Sequence, residues 1–97
     1  MHYRLLALDV DGTLLDPSGA LRPAVRDAVI AVQQLGLRVV LCTGRRFRTA
    51  RPLAQAIQLD TPLVMHNGAV VKDLASGQTL QQSYLPIDMY HQALPLL

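Results

Sequence analysis

An α/β fold built on parallel strands is what this sequence predicts, on three observations. Short apolar blocks of strand length alternate with stretches whose apolar residues recur at helical spacing. Three of those blocks run into a polar residue with a glycine close behind: Asp9 before Gly12, Thr43 before Gly44, Asn67 before Gly68. The chain has 97 residues, 51% of them hydrophobic, enough for one core but no more than one small domain.

Taken in order, Leu5, Leu6, Ala7 and Leu8 lead into Asp9 as an unbroken apolar run, the pattern of a parallel strand buried on both faces. Asp16-Pro17-Ser18-Gly19 is a dense turn signal. Pro23 suits the first turn of a helix. Val25, Ala28, Val29, Val32 and Leu35 then follow i, i+3, i+4, i+7 spacing, so one face packs on the sheet, and Gly36 caps the end.

Arg38-Val39-Val40-Leu41-Cys42 is the second buried strand, left through Thr43-Gly44-Arg45. Phe47, Ala50, Ala54 and Ile57 mark a second helix, with Pro52 early enough for its missing N–H to be tolerated. Asp60-Thr61-Pro62 breaks the chain before a third buried strand, Leu63-Val64-Met65. Ala69-Val70-Val71-Lys72 and residues 79–84 flank a Ser76-Gly77 turn as a β-hairpin, which Pro86 ends. Residues 1–85 read as one core, and residues 86–97 as the helical start of a further element or a tail.

Composition narrows the chemistry. Eight Arg and one Lys face seven Asp and no Glu, for a net charge of +2. Carboxylate chemistry must therefore use Asp, and lysine chemistry must use Lys72. Arg45, Arg46, Arg48 and Arg51 cluster in one stretch, suited to an anionic ligand or a solvated helix face; nucleic acid is not the expected partner. No apolar run nears the ~20 residues of a membrane span. A single cysteine excludes an intrachain disulfide and points to a reducing cytoplasm.

In an open α/β sheet, ligands bind beyond the carboxyl ends of the strands, where the three polar residues and their glycines converge. An ionised acid ending a buried strand is costly without a cation or water. Asp9 suits a nucleophile and Asp11 a general acid/base, because two nearby carboxylates push their protonation states apart. Gly12 turns the backbone and frees an N–H for an anion. Phosphoryl transfer is the reaction these groups fit, with Mg²⁺ offsetting the charge of acid and phosphate.

Asp9-Val10-Asp11-Gly12-Thr13-Leu14-Leu15 resembles the first motif of the haloacid dehalogenase-like (HAD) hydrolases, and Asn67-Gly68-Ala69 resembles the pattern of their Cof-type phosphatase branch. The resemblance implies a three-layer Rossmann-like core and hydrolysis of small phosphorylated metabolites through an aspartyl-phosphate. It implies Mg²⁺ held by the carboxylate of Asp9 and the main-chain carbonyl of Asp11. Thr43-Gly44-Arg45 resembles the second motif, which grips the phosphoryl oxygens, and the N-terminus of the following helix is an anion site. Asn67 then orients substrate or the loop beside the nucleophile, though it equally suits a plain Asn-Gly turn. His66 is expected to pack.

The resemblance also implies groups this chain does not carry: a lysine from a third motif and a last acidic motif, both beyond a cap domain. The expectation is an incomplete core that is crippled alone, with residues 5–8 left as an unpaired edge open to self-association or complementation. A rival reading uses Cys42 as thiolate and Arg48 as clamp, since residues 42–49 fit Cys-x5-Arg-Thr, the loop of cysteine-dependent phosphatases. Against it, Cys42 also reads as a small apolar residue closing a strand.

Overall fold

The computed structural model describes residues 2–97. Strand β1 (Leu5–Asp9) pairs in parallel with β2 (Arg38–Cys42), Leu5 opposite Arg38 and Asp9 opposite Cys42. β2 pairs in parallel with β3 (Leu63–Met65). The hairpin β4 (Val70–Lys72) and β5 (Thr79–Gln82) extends the sheet antiparallel, giving the order β1-β2-β3-β4-β5. Helix α1 (Pro23–Gln34) connects β1 to β2, α2 (Phe47–Ala56) connects β2 to β3, and α3 (Ile87–Ala93) follows the hairpin.

Both crossovers step the same way across the sheet, so right-handed connections put α1 and α2 on one face. Burial alternates accordingly. Val39, Leu41, Leu63 and Met65 point into the core with Val29, Ala50, Ala54 and Ile57 from the helices. Leu5 and Ala7, on the opposite face, are exposed, and Val40, Cys42 and Val64 are half-buried. The described residues thus hold the sheet and one helical layer of the expected three-layer architecture.

Two expectations are corrected. The unbroken apolar run of β1 predicts burial on both faces, yet Leu5 is 58% exposed; β1 is the edge of the sheet, the place expected for it where the family's neighbouring strand is absent. An apolar strand is buried only where a neighbour covers it, and no strand lies beyond β1 among the described residues. In α1 the stripe is in phase, with Val29 buried and Val25 and Val32 against the core, but Ala28 and Leu35 are exposed. The sheet beneath the helix stops at β1, so part of the stripe has nothing to cover. The end of α1 is as expected: Gly36 N–H bonds Gln33 O at 2.9 Å and Leu37 N–H bonds Val32 O at 3.2 Å, a Schellman closure.

The hairpin is tied to α2. The Phe47 ring lies between the Arg51 guanidinium and the Lys72 ammonium, 5.3 and 5.4 Å from its centroid. Arg51 also donates to Ala75 O at 2.9 Å. Lys72 is thereby a structural contact of the hairpin.

The turn after β1 is organised by Asp16. Its carboxylate accepts from Ser18 N–H (2.9 Å), Ser18 Oγ (2.6 Å), Ala20 N–H (2.9 Å) and Arg22 Nε (3.0 Å). These bonds, the Ser18 hydroxyl foremost, hold its pKa far below the ordinary carboxylate range. A carboxylate whose proton affinity is lowered by folding stabilises the fold above its unfolded pKa of ~3.9 and loses that contribution as pH falls further. Asp16→Asn should therefore lower the thermal midpoint at pH 7, with the gap to the parent narrowing below about pH 4. A gap unchanged by acid would remove Asp16 as the cause.

Candidate active site

Three strand exits build the site. After β1, Val10 and Leu14 are buried and anchor both ends of a wide turn closed by Leu15 N–H to Val10 O at 3.0 Å. Between the anchors, Asp11, Gly12 and Thr13 stay exposed, as Asp9 does before them. Gly12 has φ +78°, a conformation that a Cβ disfavours. The packing of two apolar side chains thus holds two carboxylates and a glycine turn at the carboxyl end of the sheet.

After β2, Thr43 is buried and doubly tied, its N–H to Val64 O at 2.9 Å and its carbonyl accepting from Asn67 N–H at 3.2 Å. Its Oγ1 accepts from Arg45 N–H at 3.0 Å, which leaves the hydroxyl proton free to donate. No side chain caps α2, which starts after Arg46, so N–H groups of its first turn face outward without an intrahelical partner.

After β3, His66, Asn67 and Gly68 all take positive φ, 50°, 56° and 97°. Such a run costs of order 1–2 kcal/mol at a residue like His66 and persists only where its surroundings enforce it. It brings the Asn67 side chain over Gly44: a Cβ on Gly44 would stand 3.1 Å from Asn67 Oδ1. A side chain at position 44 would make the exposed Asn67 amide shift by a few tenths of an ångström. His66, expected to pack, is exposed.

The β1 and β2 exits are joined by one ion pair. Arg45 Nε donates to Asp11 Oδ2 at 2.9 Å and its Nη2 to Asp11 Oδ1 at 2.7 Å, a two-pronged contact across 34 residues. The Arg45 hydrogen bond holds the Asp11 carboxyl below the ordinary carboxylate range. Sequence reasoning placed both residues at strand ends but not against each other; their opposite charges were the available signal. The Asn67–Gly44 approach was likewise unforeseen. A cavity of about 300 Å³ adjoins the site, bordered by Gly12, Thr13, Asp16, Arg22 and Val25, and neither Asp9 nor Thr43 lines it.

Asp9 lies beside Cys42 in the ladder, on the half-exposed face of the sheet. Cys42 is a strand residue of β2 and Arg48 an exposed residue of the first turn of α2. A thiolate loop needs its backbone N–H groups turned toward the anion, and here the Arg45 N–H is already given to Thr43 Oγ1. Asp27, Asp60, Asp73 and Asp88 lie in other parts of the fold: Asp60 pairs with Arg38 at 3.8 Å, and Asp73 holds Ser76 in the hairpin turn.

The donors at the β1 exit suit a hard divalent cation. A carboxylate and a main-chain carbonyl are oxygen ligands of the kind Mg²⁺ takes while keeping several waters, and Asp9 is exposed. Among the described residues no cluster of three or more His, Cys or Asp surrounds one point. The residues present fit such an ion as part of its ligand shell.

Comparison with known proteins places this arrangement. The profile of the haloacid dehalogenase-like hydrolases matches residues 6–97. Pyridoxal phosphate phosphatase YbhA of Escherichia coli is 33% identical over 97 residues, 100% of this chain and 36% of that protein. The HMP-PP phosphatase of Serratia proteamaculans is 35% identical over 92 residues, 95% of this chain and 33% of that one. A solved HAD superfamily phosphatase from Bacteroides thetaiotaomicron superposes with a TM-score of 0.83 at 26% identity, covering 97% of this chain and 34% of its own. The chain spans about a third of the length of these relatives.

Proposed function

The chain belongs to the haloacid dehalogenase-like hydrolase family, and from that premise we propose that it is the nucleophile-bearing part of a Mg²⁺-dependent phosphatase. The observation that carries the proposal is the meeting of the β1 and β2 exits, where Arg45 grips Asp11 beside the uncapped start of α2. Small phosphorylated metabolites are the proposed substrate class, in keeping with the names of the two phosphatases above. The chain carries neither the lysine of the family's third motif nor its last acidic motif, and it spans about a third of the length of these relatives.

In the proposed reaction the Asp9 carboxylate attacks phosphorus in line as the phosphorus–ester oxygen bond breaks. The electron pair of that bond goes to the leaving oxygen, which takes a proton from Asp11. A water then gives its proton to Asp11 and attacks the phosphorus of the aspartyl-phosphate, releasing inorganic phosphate and restoring Asp9. The Thr43 hydroxyl and the first N–H groups of α2 hold the phosphoryl oxygens. Asn67, over Gly44, keeps this loop in place. The Asp9 carboxylate and the Asp11 carbonyl would hold Mg²⁺, which when bound offsets the charge shared by acid and phosphate.

Hydrolysis of p-nitrophenyl phosphate by the purified protein tests the proposal. Turnover is expected with Mg²⁺ when the chain is joined to a stretch that supplies the family's lysine and last acidic motif, to be lost on chelation and restored by added Mg²⁺; the 97 residues alone should turn over far more slowly. Turnover indifferent to chelation would overturn the metal and, with it, the assigned chemistry.

A further inference from the structure

We propose, building on the functional reading above, that Asp11 is an internal competitor for the phosphoryl group: its carboxylate fills the guanidinium fork of Arg45 that a bound phosphate would take over. The contact is two-pronged, at 2.9 and 2.7 Å, and uses both outer edges of the carboxylate. Carboxylate and phosphate present the same pair of oxygens to an arginine fork, so one can replace the other without moving the arginine far.

Arg45 is rooted where the exchange must occur. Its backbone N–H is fixed on Thr43 Oγ1, two residues before α2 begins at Phe47. Among the described residues Asp11 is the one carboxylate in salt-bridge contact with it. The pair is also open to water, with 31% of the Arg45 side chain and 62% of the Asp11 side chain exposed. Exposed ion pairs are weak, and a dianion carries more charge than a carboxylate, so phosphate wins the fork. Release then leaves the Asp11 side chain free to turn toward the ester oxygen.

The test is a titration of the ¹⁵N-labelled protein with inorganic phosphate in metal-free buffer, for the parent, Asp11→Asn, Arg45→Ala, Thr43→Val and the double variant Asp11→Asn/Arg45→Ala. Asp11→Asn is expected to tighten phosphate binding roughly threefold to fivefold, the order set by an exposed ion pair. Arg45→Ala should weaken binding, and Asp11→Asn should gain nothing in that background. The Arg45 Nε–H resonance should shift when Asp11→Asn removes its carboxylate acceptor, and should return toward an anion-bonded position when phosphate is added to that variant.

An equal gain in the Arg45→Ala background would mean that Asp11 merely repels the anion, and would overturn the exchange. So would binding that Thr43→Val weakens while Asp11→Asn leaves it unchanged; the functional reading would then stand without it. Absence of phosphate binding in every variant would overturn both.

Discussion

Asp9→Asn should lower kcat for an aryl phosphate by on the order of 10⁴-fold or more, the loss seen when a covalent nucleophile is removed. The amide keeps the shape of the carboxylate and loses its charge and nucleophilicity. Asp9 is exposed at the end of β1, so the variant should unfold close to the parent temperature. The comparison that decides between chemistries is Cys42→Ser, expected to hold kcat within about twofold because its thiol takes no part. The two residues are neighbours in the sheet, so a local packing disturbance would touch both, whereas the chemistry separates them. A collapse in Cys42→Ser with Asp9→Asn active would reverse the assignment.

The second large effect is on stability. Leu41 is fully buried one residue before the end of β2, in the layer that Ile57, Leu63 and Met65 complete. Leu41→Ala removes its methyl groups and leaves a cavity that a close-packed core refills only in part, a loss of about 3–5 kcal/mol. Small domains have only about 5–15 kcal/mol in total, so the urea midpoint should fall by a large fraction. Leu5→Ala, on the uncovered face of the edge strand and 58% exposed in the parent, should cost less than about 1 kcal/mol. Equal losses at the two positions would show that something covers β1 in solution.

Much of this was legible in the order of the residues. The strands end at Asp9, Cys42 and Met65, where apolar runs meet polar groups, and α1 begins at Pro23 and closes through Gly36, as local rules require. The hairpin stands where Ser76 and Gly77 mark a turn, although β5 stops at Gln82 rather than Tyr84. The convergence of Asp9, Asp11, Thr43 and Asn67 followed from the rule that parallel strands present their carboxyl ends together. The partners of individual side chains were less legible. Arg45 stood out from Arg46 and Arg48 only through its place after Thr43-Gly44, and nothing in the sequence tied its side chain to Asp11.

By itself, then, the sequence determined the alternation of strands and helices, the ends of most elements and the place where reactive groups gather. Hydrophobic period, caps and turns are properties of neighbours along the chain. Only the tertiary structure decided that Ala28 and Leu35 face water, that Asn67 lies over Gly44, and that Arg45 chooses Asp11. Each depends on which distant segments lie side by side, and a periodic pattern carries the inward face of a strand or helix but not what stands beside it.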